Sequence, residues 1–417
     1  MQNHISEKSK DSNEVDIEKA KLFQQFDESG QVSGIYSFKW EYLTKKHPER
    51  PEFYPLWVAD MDYPVAEIIK TALSNLISKS HFGYTFCADD YYKAVIDWYS
   101  TYHQIEFKKE EIYKYSSRAL LAIGLIMQTF SEVGDKILLL TPVYYMFFES
   151  IKANERELLE SPLIYKDRSF FIDFADFEEK VIKNKPKIFF FSNPHNPVGR
   201  VWTKEEICKL HEICLKNNVI FVSDEVFSEI VFAENKYIQP FIPPYENNTI
   251  MIGSLGKNFN LNGIETCYCI IRSPELREKF TKGARKLSLF KTDGNIFSHL
   301  VTIAAYSKEG KFWVDCVREY IYENYKMMDK FFEENFNEIV PIKLEGSFVL
   351  LCDYSKLDIS EDDFFKKCEE EDIIISKGSP FHIPTKMFRI NIACSRKLLR
   401  EALVKITKIF KDKKIFS

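Results

Sequence analysis

The stretch Ile252-Gly253-Ser254-Leu255-Gly256-Lys257-Asn258-Phe259-Asn260-Leu261 decides how this chain is read. The apolar run Ile250-Met251-Ile252 ends in small and polar residues, then a single lysine, and a second apolar run covers 267–271. That pattern puts Lys257 on a loop between two buried strands. A lysine so placed can form a Schiff base where its surroundings disfavour the ammonium form. The plain alternative is a solvated loop lysine, the usual fate of charged side chains in a chain with 57 Lys plus Arg.

Outward from this loop, short apolar segments alternate with helical ones. Segments 136–140, 187–191, 219–222, 249–252 and 269–271 read as strands. Segments 119–130, 144–153 and 204–217 read as helices, the last opened by Thr203 with Glu206 three residues on, which fits a capping box. Apolar strands of this length between helices predict an α/β fold: a large domain with a mostly parallel sheet covered by helices on both faces. In such sheets ligands sit beyond the carboxyl ends of the strands. Asn193-Pro194-His195-Asn196-Pro197, Ser223-Asp224 and 254–257 each follow a predicted strand, so one crevice can bring them together.

Nearer the N-terminus, 56–59 reads as a short extended piece, 65–79 and 91–102 as helices, and Phe82-Gly83-Tyr84 as a loop. Residues 1 to about 30 are polar and read as an arm, disordered in part or docked. Residues 275–335 read as mainly helical, with a long helix over 311–332. After Phe336 shorter units follow: 347–353, a helix over 362–370, 373–375, 387–392 and a closing helix over 396–410. They predict a smaller α+β domain. The expected division is 1–60 for the arm and part of the small domain, 61–300 for the large domain and 301–417 for the C-terminal small domain.

Bulk properties narrow the function class. Of 417 residues, 45% are hydrophobic and 29% charged, which is ordinary for a soluble globular protein. A net charge of −5 gives no reason to expect nucleic acid as a partner. Nine scattered cysteines with no Cys-x-x-Cys pair suggest neither a disulfide framework nor a zinc site, so a reducing cytosol is expected. Residues 1–21 lack an apolar signal-peptide core. No apolar run approaches the roughly 20 residues that span a bilayer, so no membrane association is expected.

Several motifs are excluded by position. A nucleotide-binding P-loop ending at Lys257 needs Gly six residues earlier and Ser or Thr next, where Met251 and Asn258 stand. No Gly-x-Gly-x-x-Gly follows the first strand. His211-Glu212 lacks the second histidine of a zinc protease helix, and Gly253-Ser254-Leu255-Gly256 is not a Gly-x-Ser-x-Gly elbow. What remains is Asn196, Asp224 and Lys257. Separately, Asp224 could be a helix N-cap and Asn196-Pro197 a turn. Together they suit pyridoxal 5'-phosphate, which is held by a lysine Schiff base and kept protonated on its ring nitrogen by a carboxylate.

At this point the chain resembles a known family. Segments 193–199, 223–226 and 254–260 resemble the class I/II aminotransferase group of fold-type I pyridoxal-phosphate enzymes. Trp57-Val58-Ala59-Asp60-Met61-Asp62-Tyr63, Phe82-Gly83-Tyr84 and Val201-Trp202-Thr203 resemble its branch containing cystathionine β-lyase and the maltose-regulon modulator, the C–S lyases. The resemblance runs from about Ser33 to the C-terminal helix. It implies that Lys257 carries the cofactor and later moves the substrate's α-proton. It implies that Asp224 pairs with the ring nitrogen, Asn196 donates to the ring oxygen, and Tyr144 stacks on the ring. It places Arg118, Ala119 and Ser254 around the cofactor, and Tyr84 on the phosphate of a partner subunit, so that the enzyme is a homodimer. Arg389 would bind the substrate α-carboxylate as a bidentate fork.

Four positions depart from the branch. Phe227 stands where these lyases usually carry histidine, so a hydrogen-bond partner near the cofactor is expected to be missing. Arg118 falls in the phosphate-cradle segment, where it either supplies charge or points away. Gly256 replaces a common Ser, and Glu265 occupies the place of a phosphate-binding arginine in classical aminotransferases. The expected activity is a C–S β-lyase on cystathionine-like cysteine conjugates. The alternatives are an aminotransferase and, from another class, a cofactor-retaining regulatory binder.

Overall fold

The computed structural model describes residues 12–31, 34–50, 52–114, 118–232, 234–289 and 295–411. Its centre is a seven-stranded sheet. In chain order the strands are β1 (Ile112–Lys114), β2 (Lys136–Thr141), β3 (Glu157–Pro162), β4 (Ile188–Ser192), β5 (Ile220–Asp224), β6 (Thr249–Gly253) and β7 (Tyr268–Ile271). Their order across the sheet is β1-β7-β6-β5-β4-β2-β3. Pairing is parallel from β6 through to β3, and β7 runs antiparallel to both β6 and β1.

The two faces explain the sequence pattern. Leu138, Leu140, Phe189, Phe191 and Phe221 point into one buried cluster; Ile137, Leu139, Ile188, Phe190 and Val222 point into another. Alternate residues of a strand face opposite sides. With both sides covered, the strands read as unbroken apolar runs. The capping box forms as expected: Thr203 Oγ1 accepts from Glu206 N–H (3.2 Å), and Glu206 Oε2 accepts from Thr203 N–H (2.9 Å).

A second sheet is four-stranded and antiparallel: β8 (Val340–Pro341), β9 (Val349–Asp353), β10 (Ser376–Lys377) and β11 (Met387–Asn391), in the order β8-β9-β11-β10. The early segment joins it. Tyr54–Pro55 pairs with Ile373–Ile374, and Asn391 N–H donates to Leu56 C=O (2.9 Å). The two sheets therefore bring residues 54–62 beside β11.

The N-terminal reading needs correction. Residues Ser12–Asp27, expected within a polar arm, form a helix. Leu22, Phe23 and Phe26 share one of its faces, and Phe26 is fully buried with ring centroids 4.7 Å from Tyr63, 6.5 Å from Trp313 and 5.4 Å from Tyr320. Polar composition hid a three-residue apolar stripe that docks on the long helix Lys308–Asn335. Residues 1–11 of that arm lie outside the described residues. Among the described residues no helix is long and apolar enough to cross a membrane.

Candidate active site

Three strand ends converge. Register pairs Ser192 with Asp224 and Asp224 with Ile252, so the ends of β4, β5 and β6 are level. Asn193 N–H donates to Asp224 C=O (3.1 Å), and Glu225 N–H donates to Ile252 C=O (3.0 Å), which locks the exits side by side. Segments 193–197 and 254–257 leave from that edge, bringing Asn196, Asp224 and Lys257 into one region.

Lys257 lies on a single helical turn, Leu255–Asn258, capped by Ser254, whose Oγ accepts from Gly256 N–H (3.1 Å). Its Nζ donates to the Ala59 carbonyl. Burial lowers its pKa to about 8; Asp60 and Asp224 pull it up, and Arg389 pushes it down. The amine is thus poised to lose its proton near neutral pH. Asp224 is buried, and burial raises its carboxyl to about 7 against the Val226 N–H and the Lys257 amine. The hydrogen bond that reaches it is Val226 N–H at 3.3 Å.

Arg389 comes from β11 and is 5% exposed. Its Nη2 donates to Trp57 C=O (2.8 Å) and Ser376 Oγ (3.3 Å), its Nη1 to Asn196 Oδ1 (3.5 Å), and its plane lies over Phe381 at 4.7 Å. Nε has no partner. Burial lowers the guanidinium to about 10. Tyr144 is half-buried, just before the helix Met146–Ala153 rather than within it. Burial raises its hydroxyl to about 12, with Arg389 lowering and Asp224 raising it. Both charges act on it, so Tyr144 shares the cleft. The Tyr144 turn is tied to the Asn196 turn by His195, whose Nε2 donates to Pro142 C=O (2.9 Å).

The segment 57–63 is the floor of the site. Asn391 Nδ2 donates to Val58 C=O (2.7 Å) and Asp60 C=O (2.6 Å); Asn260 Nδ2 donates to Met61 C=O (3.2 Å) and Tyr63 C=O (2.8 Å). Asn260, three residues after Lys257, and Asn391, two after Arg389, therefore grip the same stretch of backbone. The sequence reading missed this set: Asp60, Ser376, Phe381 and the carbonyls of Trp57 and Ala59. Only the change from apolar 56–59 to acidic 60–62 hinted at it.

The departures acquire physical reasons. A Cβ on Gly256 would fall 2.7 Å from Asn262 Oδ1, and Asn262 donates to Asp60. A serine at 256 would require the Asn262 amide, and with it the link to Asp60, to shift. Phe227 is buried against Phe348, ring centroids 5.2 Å apart and edge-on. Arg118 is exposed, preceding the helix Ala119–Phe130, and pairs with Glu265 (Nε to Oε1, 3.5 Å). Ala119, partly buried, is the first residue of that helix; residues 115–117 lie outside the described residues. Tyr84 is fully exposed, so within one chain it is not brought to Lys257.

The aminotransferase class I and II family matches residues 56–406. The chain is 30% identical over 388 residues to cystathionine beta-lyase PatB of Bacillus subtilis, spanning 91% of this chain and 98% of that protein. It is 25% identical to protein MalY of Escherichia coli, spanning 89% and 94%. Among solved structures, cystalysin from Treponema denticola, which contains pyridoxal 5'-phosphate, superposes with a TM-score of 0.88 at 28% identity, covering 93% of this chain and 99% of that one. A pyridoxal-phosphate-bound putative aminotransferase from Clostridium difficile 630 gives 0.87 at 32% identity, with 93% and 99% coverage. The matched span holds both sheets and each cleft residue above, and the chain belongs to the class I and II aminotransferase family.

Proposed function

We propose that the protein is a pyridoxal-phosphate-dependent C–S β-lyase. It cleaves cystathionine-like cysteine thioethers to a thiol, pyruvate and ammonia, with one water consumed. The observation that carries this reading is a lysine amine lowered to about 8 beside buried Asp224 and Arg389, in a chain similar over nearly its whole length to a cystathionine beta-lyase.

The residues present fit the cofactor. Asp224 is a buried carboxyl whose hydrogen bond is one 3.3 Å contact, so it can accept a ring N–H. Arg389 Nε is buried without a partner and can take a carboxylate. When bound, pyridoxal phosphate supplies the electron sink for the pair left at the substrate's α-carbon. Lys257 holds the cofactor and then takes the α-proton, a task matched by a pKa near the working pH. Asn196 would donate to the ring oxygen, and Tyr144 would hold the ring. Ser254, Arg118 and the Ala119 N–H stand at the phosphate end. Arg389 clamps the α-carboxylate. The exposed Tyr84 reaches the phosphate of a second copy, making the working unit a homodimer.

An aminotransferase would use the same residues and return the proton to the cofactor instead. Assay decides between them. Release of pyruvate and ammonia from cystathionine with no 2-oxo acid added is the expected result. Strict dependence on an added 2-oxo acid would overturn the lyase reading in favour of the transaminase.

A further inference from the structure

Beside the Arg389 site lies an aromatic cluster made by Phe38, Tyr42 and Trp57, with Tyr36 two residues before Phe38 in the chain. Phe38 is 5.1 Å from Trp57 and 5.0 Å from Tyr42 between ring centroids, and Tyr42 is 6.4 Å from Trp57. Two of the three rings are open to solvent, Phe38 at 58% and Tyr42 at 46%, as is Tyr36 nearby in the chain at 84%. Contiguous exposed aromatic surface of this kind marks a binding site more often than chance.

Trp57 belongs to both the cluster and the site. Its carbonyl accepts from Arg389 Nη2 (2.8 Å) and Ser376 Oγ (3.0 Å), and the carbonyl of Ala59, two residues on, accepts from Lys257. The segment bearing the other rings is pinned to the same floor. Lys39 Nζ and Trp40 Nε1 donate to the two oxygens of Asp62 (2.9 and 2.8 Å), and Trp57 Nε1 donates to Lys39 C=O (3.4 Å). The cluster is therefore a fixed wall a short reach from where a substrate carboxylate would bind.

Three of the four charged side chains in this segment, Lys39, Glu41 and Lys45, have partners. Glu41 accepts from the backbone N–H groups of Ile35 (2.9 Å) and Ser37 (3.4 Å). Lys39 is buried on Asp62, and Lys45 Nζ sits over the Tyr36 ring at 5.4 Å. Residues 34–46 hold one carboxylate, Glu41, whose Oε1 takes both of these backbone N–H groups, beside the exposed aromatic faces.

We propose that the Phe38–Tyr42–Trp57 cluster is the subsite for the sulfur substituent, and that the protein prefers cysteine thioethers bearing an aromatic or apolar group over those with a zwitterionic tail. The chemistry rests on the lyase reading above; the binding preference does not. A ring laid on aromatic side chains gains both area burial and offset stacking.

The test uses holoenzyme and three probes: S-benzyl-L-cysteine, S-methyl-L-cysteine and L-cystathionine. Dissociation constants come from spectral titration, and pyruvate release is followed separately. The wild type is expected to bind S-benzyl-L-cysteine roughly tenfold tighter than either other probe. Phe38→Ala and Tyr42→Ala should each reduce that preference roughly fivefold. Equal binding of the three probes, or a preference that neither variant changes, overturns the subsite. A weakened dimer in Phe38→Ala with the preference intact also overturns it, since the rings would then serve subunit contact. If the preference behaves as expected but no probe yields pyruvate, the subsite stands and the lyase reading falls.

Discussion

Arg118 and Glu265, both departures from the family pattern, are partners: their side chains meet at 3.5 Å. The pairing explains how a carboxylate is tolerated where classical aminotransferases place a phosphate-binding arginine, because its charge is matched in the same spot. Thr266, next to Glu265, accepts from Leu255 N–H (3.1 Å), so the pair is anchored to the turn that carries Lys257.

An exposed pair of this kind adds little to folding stability. On the proposed placing of Arg118 at the phosphate end, its effect falls on the cofactor. Arg118→Ala should weaken pyridoxal-phosphate binding about tenfold, the loss expected for a hydrogen bond to a charged group. Glu265→Gln should tighten it, since the carboxylate no longer competes with the phosphate for the guanidinium. Fluorescence titration of apoprotein at low and high salt measures both, and unchanged affinity in Arg118→Ala would place the arginine outside the phosphate site.

Lys257 gives a pH-dependent stability. Its folded pKa is lowered to about 8 from the ordinary 10.5, so the apoprotein carries a penalty for the buried charge below about pH 8. That penalty fades as pH rises through 10.5, where the unfolded chain also loses the proton. Lys257→Met keeps the stem and removes the charge. At pH 7 the apo variant should be more stable than the apo wild type by ~1–3 kcal/mol. Thermal melts between pH 7 and 10 should show the gap closing; a gap that widens with pH contradicts the assignment.

Arg389 is held by Trp57, Ser376 and Phe381 with its Nε free. A lysine there keeps the charge but loses the fork. Arg389→Lys should raise KM for a cysteine thioether roughly tenfold, with a smaller change in kcat. Steady-state kinetics separate the two, and an equal fall in kcat with KM unchanged would argue against a carboxylate clamp.

Phe227 is core. A histidine at 227 should gain no cofactor contact here, because the ring at this position packs on Phe348. Phe227→His should cost ~1–3 kcal/mol, the penalty for burying a polar group without a partner. Chemical denaturation measures it, and a neutral or stabilising result would mean a partner exists in the cofactor-bound cleft.

The sheet was legible because both of its faces are buried. Strands such as β4, with Phe189, Phe190 and Phe191, announce themselves as apolar runs bounded by polar turns. The edges were not. β3 carries Glu157, Glu160, Ser161 and Pro162, and β1 is three residues long, so neither shows a run or an alternation. Lys257, Asp224 and Asn196 were readable because each follows a strand that could be found. The floor of the site was not readable. Backbone carbonyls such as those of Trp57 and Ala59 have no sequence signature, and Ser376 and Phe381 arrive through the second sheet. The reason for Gly256 likewise lies in Asn262, whose side chain fills the space that a Cβ would need.

The most direct test locates the cofactor. Purified protein loaded with pyridoxal phosphate is reduced with borohydride, digested, and the peptide bearing the added mass is sequenced. The account predicts modification at Lys257, lost in Lys257→Ala. Modification instead at another buried amine, such as Lys114, whose pKa burial also lowers, would contradict it.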